Sequence, residues 1–310
     1  MKLQTKGLLC VLGAGVLWGS TLGLYARFMS ALGFTPMQAT AVRMLVSVVA
    51  FALYGALFNR KIFKASPRDY WMFLGTGVLS IGAFCFFYFT SLEYCPLSVS
   101  AILLYTSPVF IMLFSALLFK ERVTRRKLSA MALALAGCAL VSGLAEGFGT
   151  VPLIGVAMGL LSGFTYALYS IFARFALRKY GSITINFYTF LFATVATLPL
   201  GGVSDTLTRL TATPEALAVG VVGSILCSAA PFFLYTKGME TMETGKAGIL
   251  ATTEPVMSAL VSVFILKEAM SLWGALGIAL VLAAIVLLSK GPKAPLAANP
   301  AAAEDPAAEA

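Results

Sequence analysis

The sequence predicts an all-α membrane protein: ten transmembrane helices arranged as two inverted five-helix repeats around a central cavity. Three observations lead there. Of 310 residues, 59% are hydrophobic and only 11% charged. Soluble domains carry about a quarter charged residues, so this chain lacks the polar groups to cover a water-facing surface. Apolar runs of about 20 residues, the length that crosses the hydrocarbon, recur along it. The chain is also internally doubled. Thr106-Ser107-Pro108-Val109 through Lys120-Glu121 returns 147 positions later as Thr253-Glu254-Pro255-Val256 through Lys267-Glu268. At the same shift Phe86 meets Phe233, Tyr88 meets Tyr235 and Glu93 meets Glu240.

The predicted spans run 7–28, 37–58, 70–91, 97–119, 128–144, 152–173, 183–203, 217–236, 245–266 and 273–289. Runs this long and evenly apolar exclude barrel strands, which take about ten alternating residues. Lys2 and Lys6 ahead of the first span invite a signal-peptide reading. Against it, Gly15-Val16-Leu17-Trp18-Gly19-Ser20-Thr21 recurs as Gly159-Leu160-Leu161-Ser162-Gly163-Phe164-Thr165, and cleavage would strip one repeat of its first helix. The repeats divide as 1–146 and 147–290. The remaining 291–310, a cytoplasmic tail of mostly Ala, Pro and acidic residues, lacks the apolar bulk to pack and is expected to be disordered.

The net charge of +9 does not point to nucleic acid, because the basic residues sit between apolar runs as topology signals do. With the N-terminus inside, 18 of the 22 lysines and arginines fall on the cytoplasmic side. Only Arg27, Arg209 and Lys267 lie outside, and Arg43 falls within a span. That bias predicts a bacterial-type cytoplasmic (inner) membrane protein, multi-pass, with both termini cytoplasmic. Five spans per repeat is odd, so the second repeat enters the bilayer upside down. Glu121 then ends its helix at the cytoplasmic face and Glu268 at the outer face. Inverted repeats of this kind are a route to alternating access around a site near the midplane.

Pro108 and Pro255 fall near the centres of spans four and nine, where each frees the carbonyl four residues earlier, at Leu104 and Ala251. Such carbonyls are tolerated in lipid only against protein or in a wet cavity, so the prolines read as kinks or hinges at a site. Two charges lie well inside spans, and an intramembrane ion is a functional candidate by default. Arg43 and Glu254 differ in depth by roughly 7 Å at about 1.5 Å per residue. Either they pair across the halves, or each anchors one end of a zwitterionic substrate. Spans one and six carry Trp18, Ser20 and Thr21, and Thr165, Tyr166 and Tyr169, beside glycines that let helices approach closely. These side chains suit the wall of a cavity for amphipathic molecules. Tyr88, Tyr105 and Tyr235 complete the candidate set. Around Tyr88 and Tyr235, phenylalanines cluster as an interfacial belt or as one gate per side.

Other chemistry has little to work with. The chain has no histidine, and its five cysteines form no CxxC pair and lie mostly inside spans. No catalytic set, metal-binding carboxylate cluster or glycine-rich phosphate loop emerges, so no cofactor and no metal are expected.

The doubled proline-to-Lys-Glu segments, Trp18-Gly19-Ser20, Arg43 and Thr253-Glu254-Pro255-Val256 resemble the EamA family of the drug/metabolite transporter superfamily. The likeness spans Gly7 to Ser289 as two EamA units. The family's tryptophan-glycine falls on Trp18-Gly19, its span-two arginine on Arg43 and its glutamate-proline on Glu254-Pro255; the first unit departs at Ser107. The resemblance implies a basket of ten helices with a central cavity, commonly exporting amino acids or related metabolites. Some relatives export aromatic amino acids or threonine and homoserine, while other branches import solutes or move lipid-linked sugars. The expectation is a secondary transporter working by alternating access, an exporter of amino acids or similar small amphipathic metabolites. Its partners would be a small-molecule substrate, the lipid bilayer and, through Glu254, protons. The alternatives are an importer or facilitative uniporter, and an intramembrane lipid-modifying enzyme.

Overall fold

The computed structural model describes residues 2–147, 151–267 and 269–289; Glu268 and the tail 291–310 lie outside the described residues. Ten helices account for the predicted spans: α1 (Thr5–Ala31), α2 (Pro36–Leu57), α3 (Pro67–Tyr94), α4 (Leu97–Phe119), α5 (Arg125–Val141), α6 (Leu153–Ala176), α7 (Ser182–Gly201), α8 (Pro214–Met239), α9 (Thr244–Phe264) and α10 (Leu272–Ser289). Among the described residues nine of them are long and apolar enough to cross a membrane. The tenth, α5, has 17 residues and opens on Arg125-Arg126-Lys127. At about 1.5 Å per residue it is roughly 26 Å long, a few Å short of the hydrocarbon. No strand occurs among the described residues.

Local chemistry sets the helix ends. Thr35 accepts from the Gln38 backbone N–H at 3.2 Å while the Gln38 side chain accepts from the Thr35 N–H at 2.9 Å, a reciprocal cap with Pro36 at the first helical position of α2. Thr213 caps α8 ahead of Pro214 by a one-way bond, accepting from the Ala216 N–H at 3.1 Å. α4 stops at its left-handed C-cap Lys120, while α9 stops at Phe264 and turns left-handed three residues on. Lys120 (φ 56°) and Lys267 (φ 61°), 147 positions apart, are the non-glycine residues in left-handed backbone among those described. A left-handed lysine costs about 1–2 kcal/mol, so a lysine held this way at both equivalent positions marks a repeated chain reversal.

Helix contacts are exchanged between the two sets of five. α2 packs on α7 and α5 on α10, α1 lies against α8 and α9, and α6 lies against α3 and α4. Swapping each helix for the one five places on reproduces these principal pairings. The α5–α10 contact is self-complementary: a Cβ on Gly137 would stand 2.6 Å from the Gly277 carbonyl oxygen, and a Cβ on Gly277 2.6 Å from that of Gly137. Only glycine permits that approach in both directions.

Two features were not foreseen. α3 and α8 each contain a stretch of π-helix, Gly75–Gly82 and Ile225–Ala229, whose last residues are again 147 apart. Such stretches are rare and concentrate at functional sites. Between α7 and α8 a short amphipathic helix, Val203–Ala212, is tied to the start of α2. Gln38 donates to Asp205 at 2.6 Å, and Arg209 donates to Asp205 at 2.9 Å and to the Gly33 carbonyl at 3.2 Å.

Candidate functional site

α4 and α9 do more than kink at their prolines; they break. α4 is helical to Leu104, turns through Tyr105-Thr106 and restarts at Ser107. α9 is helical to Leu250, turns through Ala251-Thr252 and restarts at Thr253. Proline lacks an N–H and its ring clashes with the carbonyl four residues back, so the helix cannot run straight through. Neighbouring hydroxyls bond carbonyls adjoining the freed ones. Thr106 donates to Leu103 O at 2.6 Å, Thr252 to Ile249 O at 2.6 Å and Thr253 to Leu250 O at 2.9 Å.

Glycines of the opposite set of five make room for the breaks. A Cβ on Gly163 of α6 would meet Leu103 O at 2.8 Å and Leu104 O at 3.2 Å. On α1, a Cβ on Gly15 would meet Ala251 O at 3.3 Å, and one on Gly19 would overlap the Glu254 carbonyl oxygen. Non-helical backbone at membrane depth is thereby shielded by protein.

Between the breaks lies a narrow cavity whose enclosed space is about 20 Å³, room for about one water. α4 contributes Leu104, Tyr105, Ser107 and Pro108 to the wall, and α9 contributes Ala251, Thr252 and Glu254. Tyr166 of α6 and Tyr235 of α8 face them, with Ile111 and Gly248 beyond. Both carbonyl-freeing residues named from the sequence, Leu104 and Ala251, are therefore in the wall. The lining holds one carboxylate, three phenol rings, two hydroxyls and apolar surface. Once its walls part, its chemistry suits a small molecule that is apolar over most of its body and cationic or hydrogen-bonding at one point.

The structure sorts the other sequence candidates. Trp18, 5% exposed, backs the wall, its ring edge-on to Phe232 at 5.1 Å and tilted to Tyr235 at 5.7 Å. Tyr235 is held by a 2.8 Å hydrogen bond with Ser170. Tyr169 lies behind it, bonded to Thr236 at 2.7 Å and donating to Asn186 Oδ1 at 3.4 Å. Tyr88 stacks on Phe84 at 5.5 Å, and Phe84 in turn meets Tyr166. Ser20, Thr21 and Thr165 stand outside the wall and donate to their own helices, at Val16 O, Leu17 O and Leu161 O. Pro255 is buried behind Glu254. Arg43 makes no ion pair with Glu254; its guanidinium reaches Thr40 Oγ1 at 3.5 Å.

A second polar cluster, missed in the sequence, closes the end of the bundle next to Glu121. The Glu121 carboxylate accepts the backbone N–H groups of Thr244 at 2.7 Å and Gly245 at 3.0 Å, so it caps the positive end of α9. Arg174 stands 3.8 Å from it and donates to Thr244 Oγ1 and Met239 O, each at 2.8 Å, and to Met242 O. Lys127 pairs with Glu243 at 2.9 Å and lies 3.9 Å from Glu121. This clasp joins the ends of α4, α5, α6, α8 and α9. Its sequence signal is thin. Glu121 only closes a doubled segment, Arg174 reads as one more topology charge, and half their partners are backbone atoms.

Comparison with known proteins agrees with this architecture. The model of the EamA-like transporter family matches residues 5–143 and again 153–290. The chain is 26% identical to the inner membrane transporter YicL of Salmonella typhimurium, over 92% of this chain and 95% of that one. It is 27% identical to the threonine/homoserine exporter RhtA of Salmonella typhimurium, over 62% of each. A protein of known crystal structure superimposes with a TM-score of 0.74 at 25% identity, covering 91% of this chain and 96% of that one.

Proposed function

The chain belongs to the EamA-like transporter family, and from that premise we propose that it exports amino acids or related small amphipathic metabolites by alternating access. Family and named relatives alike are transporters, so the chain is a multi-pass membrane transporter of a small molecule rather than a lipid-modifying enzyme. The observation that carries the finer reading is the cavity itself. A single carboxylate, Glu254, stands at a broken helix among Tyr105, Tyr166 and Tyr235. That set suits an ammonium group on a partly apolar body, with the phenols adding hydrogen bonds and cation–π contact.

In this reading the substrate lies between the two breaks, with Trp18, Tyr88 and Tyr169 as supports of its aromatic wall. Pro108 and Pro255 keep both helices jointed, so either side can open while the other stays packed. The basic segments set both termini in the cytoplasm of an inner membrane, which places the Glu121 clasp at the cytoplasmic mouth. Release to the outside then proceeds with the clasp closed, and loading requires it to part. Protons are the coupling ion, carried by Glu254 when the ammonium leaves it.

Counterflow in proteoliposomes tests this directly, with threonine, homoserine and aromatic amino acids set against cationic drugs. Saturable counterflow of an amino acid is expected; counterflow confined to the drugs would overturn the substrate class. The facilitative alternative keeps a specific foothold, since Glu254 is the lone acid of the wall. If Glu254→Gln transports with its proton dependence unchanged, coupling through that carboxylate is excluded.

A further inference from the structure

The two π-helical stretches occupy equivalent places but unlike surroundings. Beside that of α3, Thr76 and Thr189 satisfy each other at 2.6 Å, next to the apolar Phe190 and Ala193 of α7. Beside that of α8, the position 147 residues before Phe190 is Arg43 of α2. Its half-buried guanidinium touches the Cys227 thiol and Thr40, with Cys85 and Tyr25 close by. Among the described residues no carboxylate pairs with it.

Three fully buried hydroxyls nearby, Ser47, Ser224 and Ser228, make no hydrogen bond of good geometry. Ser47 is one helical turn from Arg43 on the same face of α2. Ser224 makes only a weak contact with the Tyr25 hydroxyl, which itself donates to Ala39 O at 2.9 Å, and Ser228 only a weak contact with the Cys227 thiol. A guanidinium with no carboxylate in direct contact, beside poorly bonded buried hydroxyls at membrane depth, is a costly arrangement unless something anionic completes it.

We propose that this polar cluster between α1, α2 and α8 opens into a pocket, an anion subsite that takes a carboxylate, paired with the Arg43 guanidinium and receiving hydrogen bonds from Ser224 and Ser228. A planar carboxylate matches the guanidinium fork and leaves lone pairs for the serine hydroxyls. Resting on the exporter reading, the subsite also narrows the substrate class to molecules with a free carboxylate, the ammonium going to Glu254.

The pocket can be tested without knowing the substrate. The probe is acetate against chloride at equal ionic strength, and the readout is the thermal unfolding midpoint of the purified full-length chain. Acetate is expected to raise the wild-type midpoint by several degrees over chloride, with the difference lost in Arg43→Gln. The double variant Ser224→Ala/Ser228→Ala removes poorly bonded hydroxyls without adding bulk. It should keep its fold, whatever Arg43→Gln does, and lose at least half the acetate shift. No acetate shift in the wild type, or an equal shift in the wild type and the serine variant, overturns the subsite. Counterflow of L-homoserine against its lactone, which lacks a free carboxylate, then links pocket to transport. At least a tenfold preference for the acid is expected in the wild type and none in Arg43→Gln; a preference unchanged by that substitution overturns the link. An acetate shift without counterflow of any amino acid sinks the exporter reading and leaves the anion subsite standing.

Discussion

The breaks in α4 and α9 share a backbone and differ in chemistry. Both open at a proline, both are stapled by threonine hydroxyls, and both lie against a glycine from the opposite set of five. At the step itself α4 has Ser107, 4% exposed and neutral, where α9 has Glu254. The same contrast recurs at the π-helical stretches, satisfied beside α7 and charged beside α2. Duplication supplies a jointed scaffold twice over, and the chemistry sits where the copies part company.

If the joints are equivalent, damaging either should do equal and severe harm. Gly19→Val drives carbon into the Glu254 carbonyl oxygen, and Gly163→Val into those of Leu103 and Leu104. Overpacking costs about 1–3 kcal/mol where side chains can shift, and backbone atoms at a break have less freedom than that. Each variant should therefore lose most of its folded, monodisperse protein, measured by size-exclusion chromatography after extraction. A Gly163→Val chain that folds normally while Gly19→Val collapses would show that the α4 joint is not the twin of the α9 joint.

The unequal side chains should give unequal effects. Replacing Glu254 with Gln is expected to lower proton-driven flux at least tenfold, about 1.4 kcal/mol in barrier, while Ser107→Ala changes it less than twofold. Moving the acid, as Ser107→Glu combined with Glu254→Ser, sharpens the comparison. Recovered flux would mean that any carboxylate between the joints serves; persistent loss would mean that the site belongs to α9.

The helices and their number were legible because length and apolarity decide what crosses a bilayer. The prolines were legible as disturbances, yet whether a helix kinks or breaks depends on what meets the freed carbonyls, and Gly15 and Gly163 are far from them in sequence. Ser20, Thr21 and Thr165 looked like cavity hydroxyls because a sequence does not say where a hydroxyl points. Within helices they turn back to the preceding turn. Arg43 and Glu254 stood out as charges inside apolar spans, and depth alone suggested a bridge; in the structure the Arg43 guanidinium turns to Thr40 and Cys227 instead. The π-helical stretches carried no residue signature at all. Only their placement at one shared offset, visible after the fact, marks them as paired.

The clasp extends the contrast to the ends of the bundle. Arg174 is buried among Glu121, Thr244 and two carbonyls, whereas its counterpart 147 positions earlier, Arg27, is exposed. Removing one partner of a buried ion pair costs about 3–5 kcal/mol, and Glu121 also caps α9, so Glu121→Ala should destabilise by about 3 kcal/mol. Arg27→Ala should stay within about 0.5 kcal/mol. Unfolding midpoints of the two variants decide it, and near-equal values would remove the clasp as a feature of one end.

The smallest expected effect lies where α2 and α7 begin. Gln38 of α2 donates to Asp205, while the residue 147 positions on, Ile185, is buried and apolar. Hydrogen bonds from Arg209 and then Gln38 hold the Asp205 carboxyl below its usual range. A depressed folded pKa means the contact contributes fully above the unfolded value of about 3.9 and is lost as pH falls through the folded one. Asp205→Asn should therefore lower the unfolding midpoint slightly at pH 7, and the gap to the wild type should close in acid. A gap that stays constant down to about pH 3 would mean that packing of the short helix, not its charge, ties it to α2.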